Sequence, residues 1–191
     1  MALKIKHQNK SDEEIIHLLI DSGNQELFEV LYSRYFKKVK DKCFSFLKDS
    51  KQAEEFANDI LTKAYEKIPG FKGNSSFSSW LYSITYNYCI DYLRVKKKLH
   101  YPNWNNSNEI PEIIDESETE LEEVNYENLL TIFELIHPEE KVLLLMKYQD
   151  GFPIKHIAKT LRISEDAVKM RLKRARTRVI YMYQQKFESN S

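Results

Sequence analysis

Apolar residues along this chain recur at three- and four-residue spacing with no sustained alternation, and that periodicity predicts helices almost throughout. Ser11, with Glu14 three residues on, has the form of a capping box opening a first helix that Gly23 closes. In a second helix Leu27, Leu31 and Tyr35 form a stripe, flanked by Phe28, Tyr32 and Phe36, that continues through Cys43, Phe46 and Leu47 until polar residues 49–51 break it. A third helix over residues 52–68 carries Phe56, Ile60, Ala64 and Ile68 on one face and Glu54, Glu55, Asn58, Asp59, Thr62 and Glu66 elsewhere. Pro69-Gly70 stops it, and the small, polar loop 71–79 leads into a helix from Ser79 or Trp80 to about Lys97. Apolar and aromatic side chains surround most of that helix, from Trp80 to Leu93, so it is either the centre of a core or the bearer of an aromatic working face.

Beyond it the pattern lapses. Residues 99–123, with Asn-rich and Glu-rich stretches and two prolines, read as a linker. Helices resume near Asn125: one over 128–136, then one begun by Pro138 that buries 142–146 and ends at Gly151. Pro153 opens a short helix with Ile154, Ile157, Ala158 and Leu161 on one face, and a tight turn over 161–163 follows. Ser164 is the N-cap of the next helix, which has Glu165 and Asp166 in its first turn and buries Val168, Leu172, Ala175 and Val179. At about 100° per residue, Lys169, Met170, Lys173 and Thr177 face away from that stripe and Arg171, Arg174, Arg176 and Arg178 flank it. Short helix, tight turn and capped basic helix together make a helix-turn-helix, whose second helix enters the major groove with central side chains on base edges and flanking cations on phosphates. The fold expected is all-α: two small helical domains, residues 11–98 and 124–186, joined by an acidic linker over 99–123.

Charge sharpens this picture. The net charge of zero hides a segregation: residues 1–98 hold 17 basic and 13 acidic groups, 99–140 hold none and 12, and 141–191 hold 12 and 4. The C-terminal excess is the footprint of a nucleic-acid binder, whereas the middle block repels DNA. Cys43 and Cys89 lie in apolar helical stretches without metal-ligand spacing and read as buried free thiols of a reducing compartment. Glu54, Glu55, Asp59 and Glu66 have no histidine among them and read as a solvated carboxylate face, so no catalytic residue, metal or cofactor is expected. The longest apolar run, 142–146, is far too short for a bilayer, and the N-terminus has no apolar core segment. A cytoplasmic, non-enzymatic protein without membrane insertion is expected.

Two motifs permit a comparison with a family. Ala53-Glu54-Glu55-Phe56-Ala57-Asn58-Asp59-Ile60, and Trp80-Leu81-Tyr82-Ser83-Ile84-Thr85-Tyr86-Asn87 followed by Ile90-Asp91-Tyr92-Leu93-Arg94, resemble region 2 of bacterial sigma factors, and Ser164 to Arg178 resembles their region 4. With only these two parts and a short linker, the chain is similar to the compact extracytoplasmic-function sigma factors over about residues 24–178. The resemblance implies that Glu55, Asn58, Asp59 and Thr62 dock on the clamp helices of the largest subunit of core RNA polymerase. It implies that Phe71, Asn74, Phe77, Trp80, Tyr86, Asn87 and Arg94 read the melted minus-ten element of promoter DNA, with Asn87 and Phe71 holding a flipped base. It further implies that Ser164, Lys169, Met170, Arg171, Lys173 and Arg174 read the minus-thirty-five duplex, that region 4 meets the polymerase flap, and that an anti-sigma factor exists. The chain departs from the family in having Glu55-Phe56 for Asp-Leu, Asn58-Asp59 for Gln-Glu, and Met170 for a small residue. The alternative is an autonomous helix-turn-helix regulator that binds duplex DNA without polymerase, which leaves the aromatic helix and Asn87 without a role.

Overall fold

A computed structural model describes residues 7, 9–96 and 125–188, and the chain divides into two compact units, Met1–Val95 and Lys96–Ser191. Every regular element among the described residues is helical. The acidic linker expected over 99–123 lies outside those residues.

In the N-terminal unit α1 (Asp12–Ser22) begins as expected: Ser11 Oγ accepts from the Glu14 amide at 3.1 Å, and Glu14 accepts from the Ser11 amide at 2.7 Å. The Ser11 amide, and after it the Ser11 hydroxyl, holds the Glu14 carboxyl below its usual range. Gly23 closes the helix at φ 64°, a left-handed conformation that glycine adopts without a Cβ penalty. A 3₁₀ turn over Gln25–Leu27 then feeds α2 (Phe28–Leu47). The break after α2 is shorter than expected, because Lys48 takes the left-handed conformation and Asp49 caps α3 (Ser50–Lys67), its carboxylate accepting from the Gln52 amide at 3.0 Å. The helix α4 (Phe77–Lys96) starts earlier than its apolar pattern indicated, since the Ser76 hydroxyl accepts from the Ser79 amide at 3.3 Å and so caps it.

The core of this unit is the surface on which α1, α2 and α3 meet α4. Ile15, Leu31, Val39, Cys43, Ile60 and Leu61 are enclosed together with Phe77, Leu81, Cys89 and Ile90. The aromatic helix is therefore the centre of the unit, and only part of its circumference is left half-exposed. The two free cysteines face each other across α2 and α4 with their sulfurs 3.8 Å apart. α1 is tied down by Asp12, which accepts from Arg34 at 2.6 Å and from the Tyr35 hydroxyl. Burial and this carboxylate push the Tyr35 phenol far above its ordinary value, so it stays a donor.

Among the described residues the C-terminal unit has four α-helices: α5 (Tyr126–Leu135), α6 (Pro138–Leu144), α7 (Ile154–Leu161) and α8 (Glu165–Tyr183). α6 runs on as a π-helical turn over Leu145–Gln149, and Gly151, at φ 68°, ends it. Asn125 caps α5, while the Asn125 amide donates to the Tyr183 hydroxyl at 2.9 Å, joining the start of α5 to the end of α8. α8 carries the longest buried stripe, Val168, Leu172, Ala175, Val179 and Tyr183, against which the other three helices pack.

Ile60 has no exposed surface. Ile60→Ala is expected to cost about 2–5 kcal/mol of stability, because the transfer free energy of the lost methyl groups is compounded by an unfilled cavity. Denaturant unfolding of the full chain followed by circular dichroism checks this; a midpoint unchanged from wild type contradicts the α3–α4 packing described.

Candidate nucleic-acid interface

The C-terminal helix-turn-helix is built by its turn. Arg162 takes φ 58°, its amide and that of Ile163 both donate to the Ala158 carbonyl, and the chain reverses within three residues. Ser164 then caps α8, its hydroxyl accepting from the Ala167 amide at 3.1 Å. Away from the buried stripe the helix exposes Lys169, Met170, Lys173 and Arg176, with Met170 55% accessible. These lie at i, i+1, i+4 and i+7, a single outward ridge about 10 Å long. Lys169 pairs with Asp166 at 3.2 Å, both on the surface.

Behind that ridge sits a buried acidic pair. Glu139 and Glu140 are the second and third residues of α6, and both are enclosed. Arg171 of α8 reaches Glu139 at 3.5 Å and Arg178 reaches Glu140 at 3.7 Å. Glu140 also completes a capping box with His137, accepting from its amide at 3.3 Å while His137 Nδ1 accepts from the Glu139 amide at 3.2 Å. Burial raises the Glu140 carboxyl and the Arg178 guanidinium opposes that rise. The pair thus anchors α8 on α6 through two arginines of the basic helix itself.

In the N-terminal unit Trp80, Asn87 and Arg94 recur every seven residues along α4, within about 20° of one another per repeat, and all three are half-buried. Phe71, in the loop before α4, lies against Trp80 with ring centroids 5.2 Å apart. The loop is held from behind: Phe77 packs on Phe71 at 6.2 Å and on Tyr35 at 5.3 Å, and the Phe77 amide donates to Glu13 of α1 at 3.4 Å. One side of α4 therefore offers two half-exposed aromatic rings, an amide and a guanidinium in a row, which are the groups that stack on and hydrogen-bond to unpaired bases.

On α3 the outward residues Glu55, Asn58, Asp59 and Thr62 share a face at i, i+3, i+4 and i+7, and all are exposed. The face is braced from two neighbours. The Tyr32 hydroxyl donates to the Asn58 side chain, and the Tyr88 hydroxyl donates to Asp59 at 2.7 Å. Phe56, beneath the face, meets both Tyr88 and Tyr92 edge-on at 4.8 and 4.9 Å. Beside it an open groove of about 380 Å³ is lined by Gln25, Glu26, Phe28, Glu29, Tyr32 and Tyr65.

Comparison with known proteins accounts for both units. The sigma-70 region 2 family model matches residues 31–99, and the sigma-70 region 4 model matches 126–179. The ECF RNA polymerase sigma factor SigX of Bacillus subtilis is 23% identical over 150 residues, covering 76% of this chain and 77% of that protein. SigW of the same organism is 34% identical over 82 residues, 43% of this chain and 44% of its own length. Among solved structures, the sigma factor RpoE of Bartonella quintana in complex with the anti-sigma factor NepR shares the fold, with a TM-score of 0.57 and 16% identity over 84% of this chain and 98% of that one. The chain belongs to the extracytoplasmic-function sigma factors. Members of this family are non-catalytic transcription-initiation factors that bind core RNA polymerase and promoter DNA. No helix among the described residues is long and apolar enough to cross a membrane.

Within this sigma factor, two of the residues expected at the DNA are enclosed, and a third, Arg171, is paired inward. Phe77 and Tyr86 are fully enclosed, and neither can reach a nucleotide. Phe77 supports the loop, and Tyr86 fills the space between Phe46 and Lys42, whose ammonium lies 3.1 Å from its hydroxyl. Arg171 is turned inward to Glu139, an enclosed carboxylate that is costly to leave without a charged partner. Arg176 joins the outward ridge, and Thr177 is half-buried. Asn74 is exposed in the loop, Ser164 serves as cap, and Arg174 is half-buried. Phe56 and Asp59, two of the positions that depart from the usual family residues, are both partners of Tyr88.

Arg171→Met is expected to lower the stability of the C-terminal unit by about 1–3 kcal/mol, since the enclosed Glu139 carboxylate loses a charged partner. Thermal unfolding of the full chain, with the slope of DNA affinity against salt measured alongside, checks this. A stable variant whose salt slope falls by about one identifies Arg171 as a phosphate contact instead.

Proposed function

We propose that the two units divide promoter recognition between them. The face of α3 carrying Glu55, Asn58, Asp59 and Thr62 docks on the clamp helices of the largest polymerase subunit. Phe71, Trp80, Asn87 and Arg94, with Asn74 at the loop tip, take the single strand of the minus-ten element. The ridge of Lys169, Met170, Lys173 and Arg176, flanked by Arg174, reads the minus-thirty-five duplex, and region 4 meets the polymerase flap. An anti-sigma factor binds the free protein, as NepR binds RpoE, and the protein works in the cytoplasm and catalyses no reaction of its own.

The observation that carries this reading is the row on α4, where Asn87 stands in register with Trp80 and Phe71 closes the end of the row. An aromatic ring stacks on an extruded base for about 1–3 kcal/mol, and an amide pairs with its edge. Opening several base pairs costs about 1.4 kcal/mol per step, so the row captures a strand that polymerase helps expose and cannot melt duplex alone. Region 4 by itself has little margin, because three base contacts at about 1–3 kcal/mol each sum to about 3–9 kcal/mol, whose low end lies below the roughly 4–10 kcal/mol that separates specific from random sites. Polymerase, minus-ten and minus-thirty-five contacts are needed together. A duplex-binding regulator acting without polymerase has no use for the α4 row.

Asn87→Ala and Phe71→Ala are each expected to leave polymerase binding unchanged while reducing open complex about tenfold, a factor within the stacking range above. Permanganate reactivity of promoter thymines in the holoenzyme measures this, and wild-type reactivity in both variants removes the base-holding role. Glu55→Lys, which leaves the Tyr88–Asp59 bond in place, is expected to abolish holoenzyme formation with helical circular dichroism intact; undiminished polymerase binding sinks the docking face. Lys173→Ala is expected to relax preference at one minus-thirty-five position, whereas Arg174→Ala weakens all sequences alike and lowers the salt slope by about one. Equal loss on every sequence for both variants contradicts the ridge assignment.

A further inference from the structure

α3 and α4 are joined along a single seam. On α3 its members are Gln52, Phe56, Asp59 and Lys63, spaced four, three and four residues apart; on α4 they are Tyr88 and Tyr92. Gln52 donates to the Tyr92 hydroxyl at 2.9 Å, Phe56 sits edge-on to both tyrosine rings, the Tyr88 hydroxyl donates to Asp59 at 2.7 Å, and the Lys63 ammonium lies 4.2 Å over the Tyr88 ring. Tyr88 is thus gripped on edge, face and hydroxyl by three residues of one helix. Burial and the Asp59 carboxylate push its phenol up to about 12, so it remains a protonated donor at any physiological pH.

Two neighbours give this seam its consequence. Asp59 is exposed and belongs at once to the seam and to the outward face of α3. Asn87 immediately precedes Tyr88 on α4, about 100° around the helix, so any rotation that follows Tyr88 carries Asn87 with it. A load on Asp59 from outside is passed through one hydrogen bond of 2.7 Å to the helix that presents Asn87.

We propose that Tyr88 is a positioning residue that couples polymerase docking on α3 to base capture by Asn87 on α4. Polymerase engaging the α3 face fixes the Asp59 carboxylate, Asp59 fixes the Tyr88 hydroxyl, and Tyr88 sets the rotation of α4 at which Asn87 meets the extruded base. The Gln52–Tyr92 bond lies further along the same seam, one turn away from the docking face, and serves packing alone. The proposal rests on the assignment of Asn87 to base capture and of α3 to polymerase docking. Because coupling free energies are reciprocal, it has a direct thermodynamic signature: polymerase raises the affinity of this chain for single-stranded minus-ten DNA by a factor that depends on Tyr88.

The test measures binding of a fluorescent non-template-strand oligonucleotide, taken from a promoter the holoenzyme transcribes, to the free full-length chain and to the holoenzyme. The ratio of the two affinities is the gain conferred by polymerase. Tyr88→Phe removes one oxygen atom and keeps the ring on Phe56. It is expected to reduce the gain about fivefold, the size of one hydrogen bond, while affinity for core polymerase stays within about twofold of wild type. Tyr92→Phe, which removes the equivalent bond to Gln52, is expected to keep the wild-type gain, a split that general loosening of the seam does not produce. An undiminished gain in Tyr88→Phe overturns the proposal, as does equal loss in both tyrosine variants or a matching loss of polymerase affinity. Asn87→Ala separates the levels: if it loses the gain while Tyr88→Phe keeps it, the coupling alone is wrong; if it keeps the gain, base capture by Asn87 falls and the coupling falls with it.

Discussion

Phe56, set edge-on between Tyr88 and Tyr92, is the contact on which the N-terminal unit depends. It joins the helix with the outward carboxylates to the helix with the half-exposed aromatic row, and edge-to-face pairs at these distances contribute about 0.5–1.5 kcal/mol beyond area burial. The ring meets the two tyrosines at interplanar angles of 85° and 88°, which holds this stretch of α4 against α3. On α4 Leu81, Cys89 and Ile90 are enclosed, while Trp80, Asn87 and Arg94 remain half-exposed on another arc. The loop that carries Phe71 is placed by a second set of contacts, through Phe77, Tyr35 and Glu13, so α1 and α2 support the same surface from its other end.

The C-terminal unit solves a different problem, that of seating a strongly basic helix on a small core. Two of its arginines, Arg171 and Arg178, are directed into the unit, where Glu139 and Glu140 receive them. Buried pairs of this kind gain little net stability against apolar replacements, but a buried carboxylate left without its partner is costly, so the pairing fixes one register of α8 on α6. What remains outward is a ridge of Lys169, Met170, Lys173 and Arg176. Met170 is the apolar member of that ridge, and in the duplex-reading role proposed for it would suit a thymine methyl group better than a hydrogen-bonding base edge.

Much of this was legible in the residues because its causes are local. Ser11 with Glu14, Gly23, Pro138 and Ser164 act within one turn of chain, and each marks its helix end as the spacing indicated. The stripe Val168, Leu172, Ala175 and Val179 was readable because a helix packed on one side shows its period. α4 resisted the same treatment. With aromatic residues on nearly every side, its sequence could not say which would be enclosed, and Phe77 and Tyr86 went to the interior while Trp80 did not. Its true start at Phe77 was masked by four serines in the preceding and first turns, of which Ser76 supplies the cap. Arg171 turned inward, and Tyr88 bonded to Asp59, because of partners 32 and 29 residues away, and no local pattern reports such pairings.

One claim stands above the others: the α4 row and the α8 ridge act together on one promoter, and only with polymerase. Run-off transcription with core polymerase, this protein and promoters from its own genome tests that claim most directly. The result expected is a discrete transcript that requires both core enzyme and this protein and disappears when either the minus-ten or the minus-thirty-five element is scrambled. Tight, sequence-specific binding to duplex promoter DNA by the protein alone, with no transcript when core polymerase is added, would contradict it.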